Sequence, residues 1–276
     1  MYSRAYVEVT NICNKSCSFC PGHERPAARM TAEQFRTVAE QISRVTKYVY
    51  YHVMGEPLTH PDICELIRIA SGAGLRSALT TNGSLLGKCG DGLIESGVYK
   101  VNISVHSFEG ESGAEYEKYI FDCLDFADRA SEAGVLCVLR LWNRGYDGGR
   151  NEDIILKARR KFPDGEWKEG ARGIRIRHKL HVEYGDRFDW PDMEAEDCGA
   201  NVFCYGLRDH FGVLCDGTVV PCCLDRNGDL KLGNVFSEDI EDILSSDRAK
   251  AILGGFDNRN AVEELCRKCG YARRFR

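Results

Sequence analysis

Runs of apolar, β-branched residues alternate with helix-patterned segments through most of this chain. Residues 6–9, 48–53, 76–80, 100–105, 135–141 and 174–177 read as strands. Residues 31–44, 61–73, 85–96, 114–133 and 151–161 read as the helices between them. Thr31 with Gln34 makes a capping box at the first helix start. Gly74, Gly97 and Gly134 fall just past helices, where a C-terminal cap belongs. Strand, helix, strand in repetition predicts an α/β fold with a parallel sheet and right-handed crossovers. Six units are too few for a complete eight-fold barrel, so a partial (β/α)6 TIM barrel or an open doubly wound sheet is expected. In both, ligands bind at the carboxyl ends of the strands.

The pattern changes near Trp190-Pro191. From there to Asn201 the chain is acidic and lacks an apolar period, and then cysteines accumulate: Cys198, Cys204, Cys215, Cys222, Cys223, Cys266 and Cys269. Val213-Leu214 and Val219-Val220 flank Asp216-Gly217 and predict a hairpin. Residues 240–253 and 261–265 read as helices. Two domains are expected, 1–196 and 197–276.

Composition narrows the class. The chain has 276 residues, 14 cysteines and a net charge of −5. No apolar run approaches a membrane span, and the mild negative charge gives no global field for nucleic acid. Basic stretches at 172–179 and 271–276 read as solvated surface. The chain start runs directly into a strand pattern, without the charged and apolar regions of a secretory signal. So many cysteines without secretion point to metal or redox chemistry in a reducing, cytoplasmic setting rather than to a disulfide framework.

Cys13, Cys17 and Cys20 follow the first strand in one short loop. A [4Fe–4S] cubane normally takes four thiolates. Three local cysteines would hold three irons and leave the fourth open to a small molecule. A structural zinc site short of one ligand is the alternative.

Polar residues recur at the ends of the apolar strands. Met54-Gly55-Glu56-Pro57 follows the second, where glycine permits close approach to the backbone. Thr80-Thr81-Asn82-Gly83 follows the third, Ser104-Val105-His106-Ser107 ends the fourth, and Arg140-Leu141-Trp142-Asn143 ends the fifth. Strand alternation would set Ser104 and His106 on one side. Each motif alone is compatible with a plain turn; their convergence at one end of a sheet points to a site.

The cysteine trio with an aromatic before its last member, Gly-Glu-Pro after strand two and Thr-Asn-Gly after strand three resemble the radical S-adenosylmethionine superfamily over the whole first domain. The resemblance implies that the amino and carboxylate groups of S-adenosylmethionine chelate the open iron. It implies that Gly55 and Glu56 receive the amino group, with Phe19 near the adenine and Ser104 and Arg140 near the ribose or carboxylate. Asn82 belongs to the same expected cofactor set. Met54 stands where many members have a second glycine. Reductive cleavage would then yield a 5′-deoxyadenosyl radical that removes hydrogen from an unactivated carbon. A flavodoxin or ferredoxin is the expected one-electron donor.

Cys204, Gly217, Cys222, Cys266 and Cys269 resemble the short auxiliary-cluster module called twitch, a truncated SPASM domain. One auxiliary [4Fe–4S] cluster on four protein thiolates is implied, for two clusters in all. A tetrahedral zinc on the same cysteines is the alternative, and Cys223 competes with Cys222 as a ligand. Cys215 fits no ligand slot. Cys64, Cys89, Cys123, Cys137 and Cys198 read as small residues in or near the core.

A small, nucleotide-like substrate is expected. Candidate catalytic or substrate-facing residues are His52, His106, Trp142, Glu183 and Arg208, with Tyr51, Asn143, Tyr205 and His210 as further candidates for the pocket. Longer strings (His52 to Pro57, Val105-His106-Ser107-Phe108-Glu109, Arg140 to Asn143 and Phe203 to Asp209) resemble the queuine lyases of queuosine salvage. Such an enzyme would release queuine from queuosine 5′-phosphate. That resemblance implies carboxylates such as Glu183 and Asp209 for a guanine-like edge, and Arg208, Arg140 or Lys179 for phosphate. A radical oxidase or peptide maturase using the auxiliary cluster as an electron acceptor, and a cluster-bearing redox sensor, are the rival readings.

Overall fold

The computed structural model describes residues 1–107 and 113–275. Phe108 and Glu109, part of one of the strings above, lie outside the described residues. The strands in chain order are β1 (Arg4–Val7), β2 (Tyr48–Tyr51), β3 (Arg76–Thr81), β4 (Lys100–Ser104), β5 (Leu136–Arg144), β6 (Lys168–Gly170), β7 (Gly173–Arg177), β8 (Leu180–Asp186), β9 (His210–Val213), β10 (Thr218–Val220) and β11 (Gly233–Asn234). The helices are α1 (Ala32–Ile42), α2 (Ile63–Gly72), α3 (Leu86–Glu95), α4 (Gly113–Glu132), α5 (Arg150–Lys161), α6 (Ile240–Leu244), α7 (Asp247–Asp257) and α8 (Glu264–Arg267).

The chain forms two compact units. One comprises Met1–Cys13, Pro21–Arg76 and Phe188–Arg276. Within it β1 pairs in parallel with β2 on one side and β9 on the other, and β10 and β11 continue antiparallel. The β9–β10 hairpin turns at Asp216-Gly217 as its sequence predicts. Thr31 and Gln34 exchange both bonds of the capping box at α1, satisfying N–H groups the helix cannot satisfy itself. The apolar stripe of α1 (Phe35, Val38, Ala39 and Ile42) is buried, as are Ile63, Leu66, Ile67 and Ala70 of α2. The helix expected over 240–253 is interrupted. Ser246 caps the start of α7 by accepting from the Ala249 N–H, which divides the segment into α6 and α7.

The other unit comprises Asn14–Cys20 and Ser77–Arg187. Here β3, β4, β5 and β8 run parallel in that order, and β7 and β6 follow antiparallel. The sixth parallel position therefore belongs to β8 and not to residues 174–177, which form the antiparallel partner β7. Both runs are apolar enough to serve as a strand. The tight turn through Lys179, at φ 63°, reverses the chain and gives the parallel register to the later run. Between β3 and β4 lies α3, and between β4 and β5 lies α4, whose Tyr119, Ile120, Cys123, Leu124, Phe126 and Ala127 are buried. Among the described residues no helix is long and apolar enough to cross a membrane.

Candidate functional site: two thiol clusters and the strand ends

In the first unit the Gly-Glu-Pro loop is seated against the backbone that follows β1. Gly55 has φ +77°, and a Cβ there would lie 2.4 Å from the Thr10 carbonyl oxygen. Only glycine fits, for conformational and steric reasons together. The Glu56 N–H donates to Ile12 O at 2.9 Å, and Thr59 Oγ1 donates to the same carbonyl at 3.2 Å. The loop is thereby fixed one residue from Cys13. Glu56 is 2% exposed, and its Oε1 accepts from the Leu58 N–H at 3.1 Å.

The base of the cysteine loop is closed by a buried ion pair that sequence reading overlooked. Glu8, fully buried in an apolar run, accepts from Arg25 Nη2 at 2.7 Å and from the Met54 N–H at 3.1 Å. Its other oxygen accepts from the Cys215 N–H at 3.3 Å. Arg25 Nε donates to Arg226 O at 2.8 Å. Asn11 adds two bonds across the loop base, to Pro26 O and from the Ala28 N–H, each 2.8 Å. A lone carboxylate inside a strand-like run was the available signal. Cys215, which fits no ligand slot, is part of this network, and burial pushes its thiol up to about 12.

Cys13 and Cys20 are exposed and Cys17 is half-buried. The Cys20 N–H donates to Cys17 O at 3.1 Å, so Cys17 and Cys20 close a tight turn. In the second unit this turn is held from the strand ends. Asn82 Nδ2 donates to Asn14 Oδ1 at 2.9 Å, while Asn82 Oδ1 accepts from Ser84 N–H and Oγ. Asn82 therefore acts here as an anchor for the cysteine loop. The Cys17 thiol lies 3.7 Å from Ser107 O, and the Phe19 ring packs on His106 with centroids 5.2 Å apart.

Ser104, Arg140 and Glu183 are direct register partners across β4, β5 and β8. Arg140 Nε lies 3.6 Å from Glu183 Oε2, and its guanidinium is stacked 4.5 Å over the Trp142 ring. Gly185 makes room for that indole, since a Cβ there would lie 2.7 Å from Trp142 Cδ1. His106 does not continue the alternation of β4. Residues Val105–Ser107 form a 3-10 turn that swings its ring to β5, with Nδ1 3.0 Å from Arg140 O and 3.3 Å from the Trp142 N. An open cleft of about 400 Å³ lies beside these strand ends, lined in part by Ser18, His106, Asn143, Tyr146, Arg150 and Arg187.

The remaining candidates have other surroundings. His52 belongs to the first unit and packs edge-on to Tyr6, 4.9 Å between centroids. Tyr51 is fully buried, stacks on Phe35 and donates to Leu66 O at 3.4 Å, so it is core rather than pocket. Arg208 pairs with Asp257 and lies over the Phe203 ring. Lys179 sits before the start of β8, the amino end of the parallel strands, which removes it from the phosphate candidates.

Cys204, Cys222, Cys266 and Cys269 come together in the first unit. Burial raises the Cys222 thiol well above its ordinary value, and the other three cysteines and Cys223 raise it further. Cys266 responds to Cys204 and Cys269 in the same way. Cys223 instead interacts with Tyr6, Cys204 and Arg4. Four half-buried thiols gathered in one place are costly as thiolates unless positive charge compensates them, which fits an iron–sulfur group. Among the described residues no three His, Cys, Asp or Glu side chains converge as ligands of one metal ion. Cys123 and Cys137 are buried, whereas Cys64, Cys89 and Cys198 are half-exposed.

Parallel α/β strands, three cysteines close in sequence after the first of them and a second set of four cysteines later in the chain are the features of an iron–sulfur protein. The profile of the radical SAM superfamily matches residues 7–168, and that of the SPASM iron-sulfur cluster-binding domain matches residues 204–270. The chain belongs to the radical SAM superfamily and carries a SPASM domain; its cofactors are S-adenosylmethionine, a [4Fe–4S] cluster and auxiliary iron–sulfur. Over 109 residues it is 32% identical to the AdoMet-dependent heme synthase of Methanosarcina barkeri, covering 38% of this chain and 31% of that protein. Over 195 residues it is 28% identical to the GTP 3′,8-cyclase of Aquifex aeolicus, covering 67% and 58%. The matched region thus spans less than two thirds of either relative. Its fold is similar to that of BtrN in complex with AdoMet and 2-DOIA (TM-score 0.60, 19% identity, 98% and 93% covered). It is also similar to Streptococcus suis SuiB bound to S-adenosylmethionine (TM-score 0.61, 16% identity, 98% and 72% covered).

Proposed function

We propose that this radical SAM enzyme acts on a small nucleotide-like molecule, and that its reaction is the release of queuine from queuosine 5′-phosphate. The observation carrying this reading is the cleft of about 400 Å³ beside the ends of β4 and β5, a volume suited to a small molecule. A relative that is named a GTP 3′,8-cyclase adds support for a nucleotide.

The residues divide the work. Cys13, Cys17 and Cys20 would hold the cluster with the open iron. Gly55 and Glu56 would receive the amino group of S-adenosylmethionine, and Ser104 and Arg140 its ribose or carboxylate. When bound and reduced, these cofactors supply a 5′-deoxyadenosyl radical. Phe19 would lie near the adenine, and Arg140 is held by Glu183 and by the indole beneath it. His106 Nδ1 is engaged at the β5 edge, which fixes its ring. Cys204, Cys222, Cys266 and Cys269 would hold the auxiliary cluster.

The test is anaerobic turnover of reconstituted protein with S-adenosylmethionine, reductant and queuosine 5′-phosphate, followed by mass spectrometry. Free queuine with 5′-deoxyadenosine is the expected result. Deoxyadenosine without queuine overturns the lyase reading. Deoxyadenosine formed by a Cys13→Ala/Cys17→Ala/Cys20→Ala variant overturns the cluster assignment.

A further inference from the structure

In the second unit a buried hydroxyl on α4 touches both segments that hold the cysteine loop. Tyr119 stands in the apolar stripe of α4, between Tyr116 and Cys123, and is 6% exposed. A phenol so placed needs a partner for its O–H. Its hydroxyl donates to Asn82 O at 2.7 Å and lies 3.4 Å from Ser104 O and from Val105 O. The first is a short, strong bond, and the other two contacts are at the outer limit of one. Asn82 belongs to the loop after β3, whereas Ser104 and Val105 belong to the end of β4 and the turn that follows it.

Each of those segments grips a different part of the cysteine loop. Asn82 Nδ2 donates to Asn14 Oδ1 at 2.9 Å. The turn after β4 places Ser107 O 3.7 Å from the Cys17 thiol and the His106 ring 5.2 Å from that of Phe19. The loop is therefore held at Asn14 from one segment and at Cys17 and Phe19 from the other. Tyr119 is the side chain that joins the two.

Gly83 is what lets α4 come so close. It has φ +83°, and a Cβ there would lie 2.7 Å from Cys123 Sγ, 3.1 Å from Ile103 Cγ2 and 3.2 Å from the Tyr119 hydroxyl oxygen. A side chain at this position would push α4 off the strand ends. The Thr81 hydroxyl accepts from the Gly83 N–H at 3.0 Å and sets the turn. The glycine of Thr-Asn-Gly thus makes room for the contact between Tyr119 and Asn82 O.

We propose that Tyr119 is a positioning residue for S-adenosylmethionine binding: its hydroxyl sets the loop of Cys17 and Cys20 against the ends of β3 and β4, acting through Asn82 and Asn14. The proposal needs no particular substrate, so it stands or falls separately from the lyase reading. The test is equilibrium dialysis of S-adenosylmethionine against anaerobic, reconstituted protein, with iron content and thermal midpoint measured on the same samples. Tyr119→Phe keeps the ring and its packing and removes only the hydroxyl. It is expected to retain its iron and to raise the dissociation constant about fivefold, the size of one net hydrogen bond. Asn14 is exposed, and Asn14→Ala cuts the same link further along, so it should weaken binding by a similar factor. If the two act along one path, the double variant binds no more weakly than the weaker single variant. 4-Aminophenylalanine in place of Tyr119 restores a donor and should recover part of the affinity. Should Tyr119→Phe fail to fold, this substitution takes its place in the comparison with Asn14→Ala, with a smaller loss expected. A lowered thermal midpoint with unchanged affinity makes Tyr119 a packing residue alone and overturns the proposal. Losses that multiply in the double variant overturn it as well, because Tyr119 and Asn14 would then act independently.

Discussion

Gly55 and Glu8 show how single residues hold the loops after β1 and β2. Gly55→Ala forces a left-handed backbone, costing about 1–3 kcal/mol, and drives a methyl into the Thr10 carbonyl. Loss of S-adenosylmethionine binding by equilibrium dialysis, with a lowered thermal midpoint, is the expected outcome. Arg25→Met strands the Glu8 carboxylate in the interior, and breaking a buried pair in this way costs about 3–5 kcal/mol. The Glu8→Leu/Arg25→Met double variant should cost less than Arg25→Met alone in denaturant titrations. His210 sets a pH dependence. Burial, with Arg4 adding, lowers it to about 4 from an ordinary value near 6.5. The unfolded chain therefore takes up the proton first. The contribution of His210 is complete above pH 6.5 and is lost as pH falls toward 4, by roughly 3 kcal/mol in all. His210→Phe should flatten the stability curve across that window, read by denaturant midpoints at each pH.

At the scale of elements, the ends of β4, β5 and β8 form an aligned row. Ser104, Arg140 and Glu183 are aligned by parallel register, and Trp142 reaches its place because Gly185 on β8 leaves space. Gly185→Val should push the indole off Arg140. We expect a changed near-UV circular dichroism band and product formation lowered about tenfold or more, as misplacement near reacting groups commonly costs. The row was only partly legible. Arg140 and Trp142 read directly from a strand end, because alternation along a strand is regular. His106 did not, since the chain leaves β4 at Ser104 and enters a 3-10 turn. The identity of the sixth parallel strand was also hidden, because residues 174–177 and Leu180–Asp186 have similar apolar patterns.

At the scale of the whole molecule, Cys13, Cys17 and Cys20 form a more exposed set and Cys204, Cys222, Cys266 and Cys269 a half-buried one. Reconstituted protein should contain about eight irons, four per cubane. Replacing Cys204, Cys222, Cys266 and Cys269 by alanine should leave about four, measured by iron analysis with Mössbauer spectroscopy to identify the remaining cluster. Cys204, Cys222, Cys266 and Cys269 are far apart in the chain but act on one another in the fold. Their grouping was legible only through resemblance to a known module. Nothing local to Cys204 or Cys222 requires it.

Sequence alone determined the features that depend on local order: the alternation of strands and helices, the capping box at α1, the cysteine trio and the glycine after β2. Each is a matter of spacing or of backbone sterics over a few residues. Only the tertiary structure decided which apolar run became the parallel strand β8, where His106 turned, and that Glu8, Arg25, Met54 and Cys215 share one buried network.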